Sequence, residues 1–344
     1  MNEIRTIEPF IRLGERLAEE LLDGTIEPVI RRSEAENPWF SRANVVSAIQ
    51  AICTDMLDGR NLGSWLARYP AAGRPSDETV GIVMAGNIPL VGFFDLLCVL
   101  ICDRRCLIKP SSKDRVLIGH IVDLLREIEP RFSIGALEGK VPDRLIASGS
   151  DEARRHFASV YPDTPSLLRG HRYGVAVLSG QESDRQLDGL YDDVFSYFGL
   201  GCRNVSRIFV PRGYDLRRLC RRLSARPITH TGYLNNYRQA RAMRLLNGTE
   251  FIDGGFFLMR PGADKEGPLS EIACTSYESV GSVERLLRER DREIQCVVSA
   301  TLDHPRRVDF GQAQHPSLTD YPDGIDVMEF LLAGSPAPAD RRQL

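Results

Sequence analysis

Residues 80–108, VGIVMAGNIPLVGFFDLLCVLICDRRCLI, contain the strongest fold signal in the chain. A short apolar run, Val80 to Met84, is followed by the turn residues Gly86-Asn87-Ile88-Pro89 and then by an apolar helical segment. A second apolar run, Cys106 to Ile108, indicates the next strand. Two strands separated by a helix are typical of parallel pairing, because parallel strands need a long crossover connection. This stretch therefore predicts a parallel sheet covered by helices.

The same alternation continues toward residue 150. Residues 114–129 place apolar side chains on one helical face, Leu145 to Ala147 form a further apolar run, and Gly149-Ser150 precede another helical segment. The pattern before the sheet is different. The first 70 residues repeat apolar side chains every three or four positions, which predicts helices, and residues 71–77 predict a linker rich in Ala, Gly and Pro.

A second strand–helix series starts at Val175 to Leu178. Its predicted elements are a helix over 187–198, a loop over 199–202, a strand over 208–210, a helix over 216–223, a helix over 283–290 and a strand over 294–299. The two series predict an α/β chain built around parallel sheets. Its predicted parts are a helical N-terminal segment (1–75), a Rossmann-like dinucleotide-binding domain (76–172), a second α/β domain (173–334) and a disordered tail (335–344).

The composition of the 344 residues excludes several classes of protein. A hydrophobic fraction of 42% and a charged fraction of 26% are typical of globular chains and exclude disordered or fibrous ones. The formal net charge of −3, without a long basic stretch, argues against a nucleic-acid binder. Residues 88–101 contain Asp95 and are too short for a membrane span of roughly 20 residues. Residues 1–10 lack the apolar core of a signal peptide, so we expect a cytoplasmic protein.

The eight cysteines do not predict a disulfide framework, since most lie in apolar runs. Cys98, Cys102 and Cys106 recur with three residues between them, a spacing that resembles metal ligands. They have no further Cys or His nearby to complete four ligands. The sequence therefore favours core packing for these three cysteines and predicts no metal.

Cys202 lies outside the apolar runs, in Phe198-Gly199-Leu200-Gly201-Cys202-Arg203-Asn204. The two glycines allow backbone torsions and close approaches that other residues do not. Arg203 and the local backbone amides favour the thiolate, which is the reactive form of cysteine. The pattern is consistent with a catalytic nucleophile, and equally with a tight turn that contains an incidental cysteine.

Five short motifs occur in an order that resembles the aldehyde dehydrogenase superfamily, and within it the acyl-CoA reductases, similar to the fatty-acid reductase of the bacterial bioluminescence operon. The motifs are Ala85-Gly86-Asn87-Ile88-Pro89, Leu107-Ile108-Lys109-Pro110-Ser111-Ser112, Gly149-Ser150, Phe198 to Asn204 and Phe310-Gly311-Gln312. Each is weak alone, but together they cover roughly residues 36–330 in the family's order. The resemblance implies an aldehyde-dehydrogenase-like fold in which 76–172 binds the cofactor and 173–334 is the catalytic domain. A homo-oligomer is compatible with it.

The resemblance assigns two catalytic residues. Cys202 matches the nucleophile that holds the acyl group as a thioester. Asn87 matches the residue whose side-chain amide, with the backbone N–H of the nucleophile, forms the oxyanion hole. Two such donors suit the negative oxygen of a tetrahedral intermediate. The alternative for Asn87 is a turn residue or helix cap before Pro89.

The resemblance also assigns cofactor-binding residues. Lys109 matches the lysine that contacts the adenosine ribose; it directly follows an apolar strand, where an unassisted ammonium would be costly. A solvent-exposed strand end is the alternative. Gly149 and Ser150 match a helix start that holds pyrophosphate, although an ordinary N-cap serine explains them equally well. Glu271 matches, on two residues only, the carboxylate that holds the nicotinamide ribose.

Ser112 bears on the choice of cofactor. Family members often carry Glu there, whose carboxylate binds the ribose 2′-hydroxyl and repels a 2′-phosphate. Ser112 is neutral, and Lys113 and Arg115 follow closely. We therefore predict NADP(H) as the cofactor, with NAD(H) as the alternative.

One departure from the family concerns the general base of the oxidising members. Its position falls near Leu167-Leu168, and the stretch Ser166 to Gly170 contains no carboxylate. His230, in a polar loop, is a candidate proton carrier, but a structural histidine is the favoured interpretation.

These observations predict an acyl-thioester (acyl-CoA) reductase that forms an aldehyde through a Cys202-bound thioester and hydride from NAD(P)H. The expected donor is an acyl-CoA or acyl-protein thioester, and an acyl-protein synthetase is a candidate partner. Two alternatives remain. One is a non-redox acyl-transfer or scaffold subunit, and the other is an aldehyde-oxidising dehydrogenase, which the missing Glu disfavours.

Overall fold

A computed structural model of the chain describes residues 2–263 and 267–333. The predicted disordered tail, 335–344, lies outside the described residues. The chain forms two compact units. The first draws on Met1–Glu36, Val46–Gly170 and Ile325–Leu344, and the second on Asn37–Val45 and His171–Gly324.

The first unit begins with helices, as the periodicity predicts. These are α1 (Asn2–Asp23), α2 (Glu27–Glu36), α3 (Arg42–Ala51), a π-helix (Ile52–Met56) and α4 (Gly59–Leu66). The remaining elements up to Gly170 are β1 (Thr79–Val83), α5 (Phe93–Ile101), β2 (Arg105–Lys109), α6 (Arg115–Ile128), β3 (Ile134–Ala136), β4 (Arg144–Ser148), α7 (Asp151–Val160) and β5 (Ser166–Arg169). All nine residues of α5 are buried, because this helix is apolar on every side.

The first sheet has the strand order β3-β2-β1-β4-β5, and every pairing is parallel. The chain proceeds from β1 outward to β3 and then crosses to β4 on the other side of β1. In open α/β sheets, ligands bind outside the carboxyl ends of the strands at such a reversal of order. The loops that follow β1, β2 and β4 are therefore the places to look for a ligand in this unit.

The second unit contains α8 (Asp184–Phe195), α9 (Leu216–Leu223), α10 (Thr231–Leu246) and α11 (Val280–Glu289). Its strands are β6 (Tyr173–Val177), β7 (Val205–Pro211), β8 (Ile252–Asp253), β9 (Leu258–Pro261), β10 (Glu271–Tyr277), β11 (Ile294–Val298) and β12 (Arg307–Val308). They form one sheet in the order β12-β11-β6-β7-β10-β9-β8. Among the described strands, the pairing of β8 with β9 is antiparallel and the other pairings are parallel.

The α/β class, the parallel sheets and the helical N-terminal segment are confirmed. Several elements escaped the sequence analysis, notably β3, β8, β9, β10, β12 and α10. The strands β3, β8 and β12 have only two or three residues, too few to show a period. In α10 the buried residues are Tyr233 and Ala240, so its 16 residues show no clear apolar stripe.

The units divide the chain differently from the predicted boundaries in two segments. Asn37–Val45 groups with the second unit, where Trp39 packs against Phe198 and His230. The segment after Gly324 groups with the first unit. It contains the last helix, α12 (Val327–Leu332).

Hydrogen bonds hold α12 in the first unit. The buried guanidinium of Arg144 donates to the carbonyls of Phe330 and Ala333, and the Tyr69 hydroxyl donates to Asp326. These contacts join residues up to 257 positions apart, so local sequence could not place α12. Among the described helices, none combines the length and the apolar character needed to cross a membrane.

Candidate active site

Cys202 is the exposed member of the eight cysteines; Cys53 is partly buried and the others are buried. Burial raises the pKa of the other seven thiols, to about 11 for Cys53 and Cys296 and to about 12 for Cys102 and Cys274. A thiol reacts as the thiolate and must be reachable. Accessibility therefore separates Cys202 from the other cysteines.

The chain enters the Cys202 loop through an unusual backbone. Helix α8 ends at Phe195, three residues earlier than predicted, and a short 3-10 segment, Ser196–Gly199, follows. Tyr197 and Phe198 have φ of 52° and 57°, and Gly199 has φ of 74°. Two consecutive non-glycine residues in the left-handed region are strained, and such strain concentrates at functional sites. The predicted helix ends early because these torsions reverse the chain toward the loop.

Asn204 fixes this loop from the inside. Its buried side-chain amide donates to the carbonyls of Asp193, Val194 and Ser196 at 2.9–3.2 Å. Its side-chain oxygen accepts from the backbone N–H of Gly201 at 2.8 Å. The side chain thus satisfies carbonyls at the end of α8 and holds the residue before the thiol.

The motif Phe310-Gly311-Gln312 lies beside the same helix. A Cβ on Gly189, in α8, would come within 2.8 Å of the Phe310 and Gly311 backbone, so a side chain there would displace this segment. Asp193 accepts from the N–H groups of Gly311 and Ala313, and Arg203 donates through Nε to the Ala313 carbonyl. Two motifs that are more than 100 residues apart in sequence therefore contact each other within one unit.

His230 is engaged through both ring nitrogens. Nδ1 accepts from the backbone N–H of Tyr233 at 3.2 Å and so caps α10, and Nε2 lies 3.0 Å from the carbonyl of Pro38. The ring also stacks on Phe198, with centroids 4.4 Å apart. Because Nδ1 accepts from an amide, Nε2 carries the proton and donates it to the carbonyl. The imidazole therefore has no free lone pair to accept a proton from a substrate. The structure supports the structural interpretation of His230.

Glu271 is the first residue of β10, the strand beside β7, and is buried. Its carboxylate accepts two hydrogen bonds from Arg244, from Nε to Oε1 at 3.0 Å and from Nη2 to Oε2 at 2.8 Å. The Nε atom of Arg260 lies 2.8 Å from the same Oε2. A buried carboxylate between two guanidinium groups is neutralised by the protein itself. This geometry favours an internal ion-pair cluster over the predicted ribose contact.

In the first unit, Asn87 is half-buried in the loop between β1 and α5. The loop is anchored by Asp114, whose buried carboxyl accepts from the backbone N–H of Leu90 at 2.8 Å. Leu90 itself has φ of 58°. A Cβ on Gly86 would lie 2.5 Å from the Ser111 side chain, so this glycine lets the loop approach the loop after β2. The predicted oxyanion and cofactor loops are thus packed together within the first unit.

Lys109 and Ser112 are both exposed at the carboxyl end of β2. The end of β2 is therefore exposed to solvent, as in the alternative considered for Lys109, and its contact with the adenosine ribose stays a prediction. Arg115, one of the two basic residues that follow Ser112, forms an exposed ion pair with Glu36 at 2.7 Å. An exposed ammonium and hydroxyl at this edge still suit the hydroxyls or phosphate of a nucleotide ribose.

Gly149 and Ser150 connect β4 to α7. The Ser150 hydroxyl accepts from the N–H of Ala153 at 3.2 Å, so Ser150 is an N-cap. A Cβ on Gly149 would lie 2.9 Å from the Cβ of Ala153, so the glycine allows a tight entry into the helix. The helix start at the strand-order reversal, together with the exposed groups after β2, fits a dinucleotide.

Comparison with solved structures identifies the same architecture elsewhere. The Mycobacterium tuberculosis aldehyde dehydrogenase complexed with NAD+ has a TM-score of 0.63 at 14% identity, over 88% of this chain and 74% of that chain. An NAD-dependent aldehyde dehydrogenase from Sinorhizobium meliloti gives 0.65 at 12% identity, over 88% and 71%. A benzaldehyde dehydrogenase from Corynebacterium glutamicum gives 0.64 at 13% identity, over 88% and 77%. The chain has the aldehyde dehydrogenase fold. No protein-family model and no curated protein matches the sequence itself.

Within this aldehyde dehydrogenase fold, Asn87 belongs to the first unit and Cys202 to the second. At the end of β5, where the oxidising members were expected to carry a base, Arg169 is buried and binds both oxygens of Asp95 at 2.7–2.9 Å. The following Gly170 packs against Asp151, since a Cβ there would lie 2.2 Å from its Oδ1. The stretch 166–170 contains no carboxylate, but the fold brings Asp151 beside it.

The three clustered cysteines are part of the core of the aldehyde dehydrogenase fold. Cys98, Cys102 and Cys106 are buried, and the Cys102 sulfur lies 3.8 Å from the sulfur of Met328. In residues 2–263 and 267–333, no three His, Cys, Asp or Glu side chains gather as metal ligands.

Sequence reasoning missed Asp193, Asn204 and Asp114, which hold the loops of the predicted site. In the sequence, Asn204 is only the last residue of a glycine-containing motif. Its position as a polar residue in a glycine-rich loop was the feature that could have indicated hydrogen bonds from its side chain to the local backbone. Asp193 and Asp114 gave no signal, because their partners are backbone groups of distant segments.

Proposed function

We propose that this protein is an NAD(P)H-dependent oxidoreductase of the aldehyde dehydrogenase superfamily that reduces acyl thioesters to aldehydes. The observation that carries the proposal is the Cys202 loop. It presents the exposed thiol of the chain on a strained backbone that buried Asn204 holds in place. Such a loop, in a chain with this fold, suits a nucleophile that must meet an acyl carbonyl repeatedly in one geometry.

The proposed reaction has two stages. The Cys202 thiolate attacks the acyl carbonyl, a carbon–sulfur bond forms, and the donor thiol leaves. The thioester on Cys202 would take a hydride at its carbonyl carbon from a bound nicotinamide dinucleotide. The carbon–sulfur bond of the resulting thiohemiacetal then breaks, which returns the Cys202 thiolate and releases an aldehyde. The resemblance assigns one oxyanion donor to Asn87 and the other to the Cys202 N–H.

The cofactor would be NADP(H), with NAD(H) as the alternative. A nicotinamide dinucleotide supplies the hydride when bound. Lys109 and Ser112 would contact its adenosine ribose, and the α7 helix start at Gly149-Ser150 its pyrophosphate. Glu271 is left out of this assignment because two arginines already neutralise it.

The donor we propose is an acyl-CoA or acyl-protein thioester, with an acyl-protein synthetase as the partner that supplies the latter. The decisive experiment incubates the protein with acyl-CoAs of different chain length and NADPH, and identifies aldehyde by mass spectrometry. Aldehyde that forms with the parent and not with Cys202→Ala supports the proposal. No aldehyde from any donor, together with no binding of NADPH by fluorescence titration, would favour the non-redox acyl-transfer or scaffold subunit.

One observation favours the aldehyde-oxidising dehydrogenase as a second candidate. The exposed carboxylate of Asp151 lies beside Gly170, next to the stretch where the base was expected. A base that activates water accelerates hydrolysis by about 10²–10⁴-fold. Given aldehyde and NADP+ without CoA, the reductase should give a single stoichiometric burst of NADPH, which added CoA converts into turnover. Sustained CoA-independent oxidation that Asp151→Asn abolishes would establish the oxidising activity.

A further inference from the structure

The Cys202 loop, the end of α8 and the segment after Phe310 form a closed circuit of hydrogen bonds. The Asp193 carboxylate accepts from Gly311 N–H at 2.7 Å and from Ala313 N–H at 2.8 Å. The Ala313 carbonyl accepts from Arg203 Nε. Asn204 closes the circuit by donating to the Asp193 carbonyl at 3.2 Å. Displacement of any one of the three segments therefore strains the other two.

Asp193 is the buried centre of this circuit. Asp193 is 1% exposed. The charged groups that influence the pKa of its carboxyl are Arg203 and the neighbouring Asp192. Desolvation raises the pKa of Asp193 to about 6, while the two backbone N–H groups oppose this shift. A buried carboxylate with two N–H donors and a nearby cation is ionised at neutral pH, and its hydrogen bonds are then about twice as strong as neutral ones.

Two members of this circuit, Arg203 and Asn204, directly follow Cys202 in the chain. Arg203 is the first of the two, and its guanidinium donates through Nε to the Ala313 carbonyl. A positive charge on the residue after a cysteine favours the thiolate form of that cysteine. The Cys296 sulfur, 3.4 Å from the Arg203 carbonyl, packs under the same turn.

We propose that Asp193 is a positioning residue for Cys202. Its carboxylate fixes the backbone of 311–313, the Ala313 carbonyl fixes Arg203, and the fixed guanidinium keeps Cys202 reactive. This proposal deepens the proposed function, on which its catalytic consequence rests. The reactivity of the thiol itself can be measured without any substrate.

The test is the pH dependence of Cys202 alkylation by iodoacetamide in Asp193→Asn, followed on the Cys202 peptide by mass spectrometry. An asparagine accepts one backbone N–H and presents its amide donor to the other, so the 311–313 backbone shifts. We expect alkylation at pH 7 to slow by about tenfold, equivalent to a shift of about one pH unit in the midpoint, since only the thiolate reacts. With acyl thioester, kcat should fall by up to roughly 10²-fold with little change in KM.

The matched control is Asp192→Asn. It removes the adjacent negative charge on α8, but Asp192 is exposed and pairs with Arg226 at 3.0 Å, away from the 311–313 backbone. Alkylation in this variant should follow the parent profile. If Asp193→Asn does not fold, Arg203→Gln breaks the circuit at a half-buried side chain and should move the midpoint in the same direction.

A folded Asp193→Asn, or a folded Arg203→Gln, with the parent rate and midpoint overturns the proposal. Failure of the proposed function looks different. In that case no acyl adduct forms on Cys202, while the alkylation midpoint still depends on Asp193.

Discussion

The two units present their predicted site residues in opposite ways. In the first unit, Lys109, Ser112 and Ser150 are exposed at strand and helix ends. In the second, Cys202 is exposed, but the residues around it are buried and bound to one another. Residues at strand and helix ends can contact the hydroxyls or charges of a ligand, because the sheet fixes the positions of those ends. The nucleophile that we propose requires a fixed geometry, and buried polar groups beside Cys202 provide one.

Backbone strain also differs between the two units. Two consecutive left-handed non-glycine residues lead into the Cys202 loop, whereas the left-handed non-glycine residues of the first unit, Leu90 and Asp103, are isolated from each other. Such residues cost of order 1–3 kcal/mol each and persist only where their surroundings over-determine them. Asn204 has that role in the second unit, and Asp114 in the first. The contrast predicts that substitutions will affect chemistry and stability most near Cys202 and cofactor choice most near β2.

The largest expected effect is on the thiol. Cys202→Ala should abolish the covalent acyl adduct seen by intact-mass analysis after incubation with an acyl-CoA. The matched controls Cys98→Ala and Cys106→Ala should retain it, because those thiols are buried and their pKa values are raised. An undiminished adduct on Cys202→Ala would exclude this loop as the site.

Asn87→Ala tests whether the first unit also contributes to the chemistry. Removal of one oxyanion donor typically lowers kcat by roughly 10²–10³-fold. We expect that loss in steady-state aldehyde formation, with KM for NADPH little changed. A loss below about threefold would mean that the Asn87 amide serves the turn before Pro89 and that the catalytic groups belong to the second unit.

Asn204→Ala measures how firmly the Cys202 loop is held. The change leaves three buried carbonyls at the end of α8 and the Gly201 N–H without their partner. Each unsatisfied buried group costs about 1–3 kcal/mol, so urea denaturation should show a loss of at least about 2 kcal/mol. The control Asn247→Ala, at an exposed helix end, should change stability by less than about 0.5 kcal/mol. Equal losses in the two variants would show that Asn204 is not essential to the loop.

Cofactor choice should respond to the exposed residues after β2. We expect kcat/KM to be higher with NADPH than with NADH, and Ser112→Glu to shift the ratio toward NADH. Two like charges about 4 Å apart in water repel by about 1 kcal/mol, which corresponds to about fivefold. Glu36→Gln should raise the NADPH preference by less than that, because it releases Arg115 from an exposed ion pair. Equal kcat/KM for both cofactors in the parent would contradict the prediction.

A pH dependence of stability is expected from Asp114. Burial raises its pKa to about 8 in the folded chain, from an ordinary value of 3.8. Between pH 4 and 8 the folded chain holds a proton that the unfolded chain has released, so this group makes stability fall as pH rises. In Asp114→Asn, which keeps an acceptor for the Leu90 N–H, Tm should fall less between pH 5 and pH 8.5 than in the parent. An identical fall in Tm would show that Asp114 does not titrate in this range.

Local sequence was sufficient for much of the fold. The β1–α5–β2 unit, α6, β4 and α9 follow from apolar runs and periodicity, because these patterns lie within a few turns or one strand. The order of five motifs led to the aldehyde dehydrogenase fold, and the glycines around Cys202 indicated an irregular loop. Turn chemistry of this kind is encoded in adjacent residues.

Only the tertiary structure decided what surrounds the candidate site. Asp193 finds its backbone partners 118 and 120 residues away, and Glu271 receives arginines from two other elements. It also showed that His230 caps α10 and that Lys109 is exposed. The physical reason is that a buried polar group must find a partner wherever the packed chain offers one, and no local pattern records that distance. The sequence by itself could identify Cys202 as a candidate, but the residues that hold its loop depend on which distant backbone groups the fold of the second unit brings together.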